Sequence, residues 1–345
     1  MSTPTRRAHA IDLLRLVAAV QMISGHTMDA LIAPEYRRGD AWATYTSVRG
    51  LTAVAFLFAA GVSFAMVAAH APERRRARAL RAGQLIGISY ALHPPVALFA
   101  SDAAARLASL RELFAVDVLA CIGVSLLALE LLALKLSSRA FTIASAAVGL
   151  TLVLASPLVA PIDASGLATP LLDYVTKSGG SLFPLFPFAG YAFLGAAIGG
   201  LARPRDAGWR PAAVLAVTAL VLGLASLAYR TLSSTPASEH FYAWPAASFA
   251  RLAVVVALAL ALTLATLRLD ALPRWVTTLG GETLFLYVSH LLALYVAGIG
   301  LVHFFGASLS VGASAAAAVA MVVACCAAAL GWTRYRDRRA LTERR

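Results

Sequence analysis

Long apolar stretches divide the chain into ten candidate membrane-spanning helices. A helix needs about 20 apolar residues to cross the hydrocarbon core of a bilayer. The stretches lie at about 10–33, 49–70, 83–101, 113–134, 140–161, 181–202, 211–231, 248–267, 277–299 and 309–332. Pro94 and Pro95 are expected to kink or break the third. The pattern predicts an all-α, polytopic integral membrane helix bundle with about ten transmembrane helices.

Basic residues fall mainly in alternate connections between these stretches. The richest are the run at 74–81 and the C-terminal segment after 332. Because cytoplasmic loops carry the excess of Lys and Arg, this alternation predicts that the N- and C-termini are both cytoplasmic. We therefore expect one multi-pass domain over residues 1–345, in the plasma or inner cell membrane, with a short basic tail at about 333–345.

Composition supports a membrane protein and argues against other classes. Of the 345 residues, 60% are hydrophobic and 13% are charged, and the mean hydropathy is +0.77. A net charge of +12 would suit nucleic-acid binding only if the basic residues shared a polar surface. They lie between apolar stretches, so we expect membrane lipids and no nucleic acid as partners. Three cysteines inside apolar stretches predict neither a disulfide framework nor a metal site.

Polar residues inside the apolar stretches are the first functional candidates, because charge in hydrocarbon is costly. The helical rise of about 1.5 Å per residue sorts them into two layers. The inner layer holds Asp12, Arg15, Glu130 and Glu282, and the outer layer holds His26, Asp29, Asp117 and His290. The inner layer predicts either an ion-pair network between helices or an arginine that binds an anion entering from the cytoplasm. The outer layer predicts an acid–base site built on two histidines, or hydrogen bonds that join helices.

Two further features are open to more than one interpretation. His93, beside Pro94, either lines the same cavity or satisfies the broken backbone. The outer connections at 30–48, 162–180 and 232–247 carry aromatic residues that form an interfacial belt or bind an acceptor.

The segment from Arg15 to His26 reads RLVAAVQMISGH, an arginine and a histidine separated by ten residues. It resembles the Arg-x10-His signature of membrane acyltransferases of the acyltransferase-3 superfamily. Further segments resemble motifs nearest the heparan-α-glucosaminide N-acetyltransferase-like branch. They are AFLFAAGVSFAM (55–66, with Gly61), RRRARALRAG (74–83), LFAVDVLACIGVSLL (113–127), FPLFPFAGYAFLGAAIGG (183–200) and GGETLFLYVSH (280–290).

The resemblance implies transfer of an acyl group, by default acetyl, from cytoplasmic acyl-CoA to a hydroxyl or amine of a glycan or other small acceptor at the outer face. The animal acetyltransferase of this branch places its acting histidine in the first outer loop. Here that loop has no histidine, so the chemistry is assigned to His26. His26 would act as general base, or as a nucleophile that forms an acyl-imidazole.

A mechanistic hypothesis built on these residues also assigns supporting roles. Asp29 or Asp117 would orient the ring of His26, and His290 with Tyr287 would stabilise the oxyanion or shuttle the proton. The donor nucleotide would contact basic residues at the inner side, namely Arg15, Arg74, Arg75 and Arg76. Topology and contact with anionic lipids also explain the basic run at 74–81. No metal is expected.

Two other classes compete with an enzyme. A transporter or flippase would use the buried histidines and carboxylates as a proton relay, and a catalytically inactive scaffold would use them only for packing. The small-residue spacing GAAIG (195–199) suits helix packing within one chain or between chains, so an oligomer is possible.

Overall fold

The computed structural model describes residues 9–68, 71–93, 102, 113–163, 169–202, 209–233, 241–267, 269, 271–296 and 299–342. No strand occurs among these residues, and the only pairing of extended backbone there is an isolated bridge between Ile32 and Leu309. The main helices are α1 (His9–Leu31), α2 (Gly39–Arg49), α3 (Leu51–Ala68), α4 (Arg75–Leu92), α5 (Val118–Lys135), α6 (Ser138–Leu154), α7 (Leu185–Ala202), α8 (Arg210–Leu232), α9 (Pro245–Thr266), α10 (Arg274–Gly281), α11 (Thr283–Tyr295) and α12 (Val311–Thr342).

Six helical segments within these ranges are long and apolar enough to cross a membrane. They are Gly39–Ala68, Val118–Lys135, Leu185–Ala202, Arg210–Leu232, Pro245–Thr266 and Val311–Ala340. Two shorter apolar helices, Ser138–Leu154 and Thr283–Tyr295, accompany them. The all-helical, polytopic membrane class is therefore confirmed, while the count of ten spans and the sides of the termini stay predictions.

The chain divides into two compact units. The central unit contains the described residues between Leu57 and Leu260. The terminal unit combines Arg7–Phe56 with Ala261–Arg345, so it joins the first helices of the chain to the last ones.

Glycines allow close helix packing in the central unit. A Cβ on Gly61 would collide with the backbone of Ala192, and one on Gly195 would collide with the backbone of Phe58. Gly199 packs in the same way against Val62. The GAAIG spacing therefore serves the contact between α3 and α7 inside one chain, where small residues let two backbones approach closely.

The terminal unit is assembled around α1, which packs against α10, α11 and α12. Gly280 of α10 approaches the backbone of Asp12 so closely that a Cβ would not fit. Beyond α1, the amide of Ala33 donates to the carbonyl of Leu309 at 2.9 Å, and the amide of Leu309 donates to the carbonyl of Leu31 at 2.9 Å. These contacts fix the position of α1 along its axis relative to the C-terminal helices.

Several predicted boundaries were wrong. The run at 74–81, predicted as an inner loop, lies mostly in α4, because Ala, Arg and Leu favour helix and Pro72 stands in the turn before it. The first outer connection contains α2. The ninth stretch is not one helix, since Glu282 (φ −97°, ψ 28°) separates α10 from α11 after two glycines. The basic tail continues α12 as far as Thr342. The prediction about Pro94 and Pro95 lies outside the described residues.

Candidate active site

Two histidines of the terminal unit contact each other directly. Nδ1 of His26, on α1, lies 2.9 Å from Nε2 of His290, on α11. Their ring centroids are 5.0 Å apart and the ring planes are tilted by 41°. His290 is fully buried, whereas His26 is half-buried. The structure therefore brings together the two histidines that the rise along separate helices placed in one layer.

The hydrogen bonds of His290 fix the protonation pattern of the neutral pair. Nδ1 of His290 lies 2.8 Å from the carbonyl oxygen of Leu286, which can only accept, so this nitrogen carries a proton. In a neutral ring Nε2 then has a lone pair and accepts from Nδ1–H of His26. His26 in turn keeps its lone pair on Nε2. This nitrogen makes no hydrogen bond with any residue that the structure describes.

Tyr287 supports the ring of His290. The two residues lie one helical turn apart on α11, and their rings meet edge to face at a centroid distance of 5.7 Å and an angle of 87°. Tyr287 is itself buried. Its aromatic ring limits the rotation of the His290 ring and thereby helps to keep Nε2 directed at His26.

Asp29 is engaged by residues that the sequence pattern did not indicate. Its carboxylate lies 2.7 Å from Nη1 of Arg49 and 3.0 Å from the hydroxyl of Tyr45. The same hydroxyl lies 3.0 Å from the carbonyl oxygen of Gly25. Arg49 and Tyr45 belong to α2, and no periodic pattern indicated where that short helix would pack. The predicted role of Asp29 as the partner of His26 stays untested.

Asp117 lies in the central unit, where it caps a helix. Its Oδ1 accepts from the amide of Ala120 at 2.9 Å, at the start of α5. The same oxygen accepts from the hydroxyl of Ser89, on α4, at 2.6 Å. Nδ1–H of His93 donates to the carbonyl of Ser89 at 2.9 Å, which matches the interpretation of His93 as a backbone partner. These contacts give Asp117 a structural function, and its predicted catalytic role stays untested.

The inner-layer glutamates form ion pairs with arginines of neighbouring helices. Glu130 accepts two hydrogen bonds from Arg78, at 2.8 and 2.9 Å, and lies 3.4 Å from Arg75. Glu282, at the break before α11, accepts from Arg336 of α12 at 2.7 Å.

The residues predicted to bind the donor lie in both units. Arg74 and Arg76 are exposed at the start of α4. Arg75, between them, lies 3.4 Å from the carboxylate of Glu130. Arg15 is half-buried on α1. It precedes His26 by eleven residues, which is about 16 Å along the helix.

A connection of the central unit, predicted to lie at the outer side, contains a lysine in an aromatic environment. Nζ of Lys177 lies 4.6 Å from the ring centre of Tyr242 and 5.3 Å from that of Phe188. Burial, with the positive charge of Arg251 acting in the same direction, lowers the pKa of Lys177 to about 8. The two cation–π contacts favour the charged form and oppose this shift.

Comparison with protein families gives one match. Residues 7–234 match the family described as heparan-alpha-glucosaminide N-acetyltransferase, catalytic. No curated protein matches the chain. The matched range includes α1 with Arg15 and His26, and it ends before His290.

Proposed function

The chain belongs to the family of heparan-alpha-glucosaminide N-acetyltransferase catalytic domains, and on this premise we propose that it is a membrane acetyltransferase acting on a sugar or a similar acceptor. The match confirms the predicted resemblance to this branch. The proposal further places the chain in the acyltransferase-3 superfamily, on the strength of the Arg15-x10-His26 pattern. The donor is acetyl-CoA from the cytoplasm, and the acceptor is a hydroxyl or amine at the outer face.

The observation that carries the proposal is the open Nε2 of a histidine whose Nδ1–H is bonded to a second histidine. As general base, Nε2 of His26 removes the proton from the acceptor while its oxygen or nitrogen attacks the thioester carbonyl. The tetrahedral intermediate then expels the thiolate of CoA by cleavage of the C–S bond. The thiolate takes the proton back from His26, so the ring returns to its neutral form.

A second route begins at the same atom. Nε2 of His26 attacks the thioester, the C–S bond breaks, and CoA leaves as the thiolate beside a positively charged acetyl-imidazolium. The acceptor then attacks the acetyl group, the bond from carbon to Nε2 breaks, and the proton of the acceptor passes to the thiolate, so the ring returns to its neutral form. Both routes require an uncharged Nε2, and both are supported by the tautomer that Leu286 and His290 impose. They differ in whether acetylated enzyme accumulates when no acceptor is present.

His290 acts through His26 in either route. Once Nε2 of His26 has gained a proton, the ring is a cation and its Nδ1–H bond to His290 becomes charge-assisted and stronger. A carboxylate would give more stabilisation at this position, but it would also hold a permanent charge. The neutral imidazole of His290 stabilises the His26 cation for as long as that cation is present. Tyr287 keeps the ring of His290 in place.

The donor is proposed to reach His26 from the inner side. Arg15 would contact its phosphates or line their entrance, and the distance of about 16 Å from Arg15 to His26 is comparable to an extended pantetheine arm. Arg74 and Arg76 are exposed for nucleotide binding, while Arg75 has part of its charge neutralised. Ten spans, cytoplasmic termini and a location in the cell membrane belong to the same proposal.

Thiol release in proteoliposomes tests this function. Purified protein receives acetyl-CoA, with glucosamine, with glucose or with no acceptor, and free CoA is measured. We expect acceptor-dependent release. If acetyl-CoA neither binds nor turns over while a proton gradient drives solute flux across the vesicles, the chain is a transporter and the proposal is wrong.

A further inference from the structure

Arg49 places an unused donor group next to the proposed reaction centre. Its Nη1 lies 2.7 Å from Asp29, and 39% of its side chain is exposed. Its Nε is buried and makes no hydrogen bond in the part of the chain that the structure describes. Buried donors are nearly always satisfied, so an arginine that served only as an ion-pair partner would be expected to use this N–H as well.

The side chain of Arg49 crosses α1 beside His26. A Cβ on Gly25 would lie 3.0 Å from Cγ and 3.1 Å from Cδ of Arg49, so the arginine stem rests on the glycine that precedes His26. Because Gly25 directly precedes His26, its missing side chain allows Arg49 to lie beside the histidine on the side of α1 that contacts α2.

Several hydrogen bonds fix α2 on α1 and preorganise the guanidinium. Gln21 donates to the carbonyl of Val48 at 2.6 Å, one residue before Arg49. The hydroxyl of Tyr45 reaches both Gly25 and Asp29, and Arg37 donates to the carbonyl of Asp29 at 2.8 Å. Asp29 therefore fixes Arg49 and is itself fixed from two sides.

We propose that Arg49 is a catalytic residue that binds the oxyanion of the tetrahedral intermediate formed at His26. The inference rests on the proposed acetyl transfer. Attack on the thioester carbonyl moves an electron pair onto its oxygen, and Nε–H of Arg49 donates to that oxygen until the C–S bond breaks and the pair returns. A fixed charge facing an oxygen that is neutral in the substrate and anionic in the intermediate favours the transition state over the ground state.

The test compares Arg49→Gln and Arg49→Lys with a matched control, Arg38→Gln. Arg38 is an exposed arginine that directly precedes α2, the helix that ends at Arg49. We measure kcat and KM for acetyl-CoA in proteoliposomes. Arg49→Gln is expected to lower kcat by about 100- to 1,000-fold, as the loss of one oxyanion donor does. KM should change little, Arg49→Lys should regain part of the rate, and Arg38→Gln should match the wild type.

A double variant addresses folding. Arg49→Gln leaves Asp29 without its partner, whereas Asp29→Asn/Arg49→Gln replaces the ion pair by a neutral pair of similar size. The double variant should fold and still have the low kcat. A kcat within about threefold of the wild type in either variant would contradict the role of Arg49 if His26→Ala is inactive. Absence of acetyl transfer by the wild type itself would overturn the proposed function and this inference together.

Discussion

The Asp117 cluster and the pair of His26 and His290, which the sequence analysis placed in one outer layer, differ in what their hydrogen bonds achieve. In the central unit, Asp117 accepts from Ala120 and Ser89 and thereby caps α5 and joins it to α4. In the terminal unit, His26 and His290 are bonded to each other, and the chain of bonds ends at an open nitrogen. The first arrangement stabilises a helix end, and the second retains a basic atom.

A costly polar group inside an apolar stretch is therefore not by itself a functional site. The same energetic cost applies to both clusters, since each buries polar atoms that must find partners. The two clusters differ in that the histidine cluster keeps one basic atom, Nε2 of His26, without a hydrogen-bond partner among the described residues.

Loss of His26 should have the largest effect. His26→Ala removes the only ring atom proposed to take the proton, so kcat for acetyl transfer should fall by about 100- to 10,000-fold, the usual contribution of a general base. His303→Ala is the matched control, because His303 is an exposed histidine of the same unit. Thiol release by both variants, normalised to folded protein, provides the measurement. Near-normal turnover of His26→Ala would remove this residue from the mechanism.

Loss of His290 should have an intermediate effect. His290→Ala leaves Nε2 of His26 in place but removes the acceptor that selects its tautomer and stabilises its cation. We expect kcat to fall by about 10- to 100-fold, less than the full contribution of a base. KM for acetyl-CoA should be unchanged, which a kinetic analysis of both parameters will show. A loss as complete as that of His26→Ala would show that His290 is as essential to the reaction as His26, which would contradict its supporting role.

Loss of the Asp117 carboxylate should affect stability more than activity. Asp117→Ala removes a cap and leaves the buried hydroxyl of Ser89 without its acceptor, which costs about 1–3 kcal/mol. Ser137→Ala, at the exposed cap of α6, is the matched control and should cost about 1 kcal/mol or less. Thermal unfolding in detergent and kcat per folded protein are measured in parallel. A stable Asp117→Ala protein without activity would move Asp117 into the catalytic group.

The charge on Lys177 should give the smallest effect, a pH dependence of stability. Its pKa is about 8 in the folded protein against an ordinary value of 10.5. Between these values the unfolded chain holds a proton that the folded protein has lost, so the free energy of unfolding rises with pH over this window.

Lys177→Met should remove that rise. Lys135, the only other lysine in the sequence, is exposed, so Lys135→Met is the control. Melting temperatures of both variants and the wild type at about pH 7.5 and about pH 9.5, on either side of the folded pKa, give the comparison. An unchanged rise in Lys177→Met would show that the cation–π contacts with Tyr242 and Phe188 keep the ammonium charged through this window.

The sequence predicted the helical membrane class and the meeting of His26 with His290, because the length of an apolar stretch and the rise along a helix are local properties. It did not predict Arg49. Arg49 belongs to α2, and the sequence of that helix has no periodic apolar pattern that would predict where it packs. Its contact with α1 also depends on Gly25, and the importance of this glycine is visible only once the two helices are in contact. The break at Glu282 and the cap at Asp117 are local features, and they were missed because each lies inside a long apolar stretch that was interpreted as one continuous helix.

The protonation state of the two histidine rings decides whether Nε2 of His26 is the open basic atom of the site. Nitrogen-15 NMR of the histidine-labelled protein at neutral pH, with signals assigned through His26→Ala and His290→Ala, reports which ring nitrogens carry protons. We predict that both rings are protonated at Nδ1 and that Nε2 of His26 is unprotonated. A proton on Nε2 of His26, with Nδ1 accepting from His290, would contradict the account.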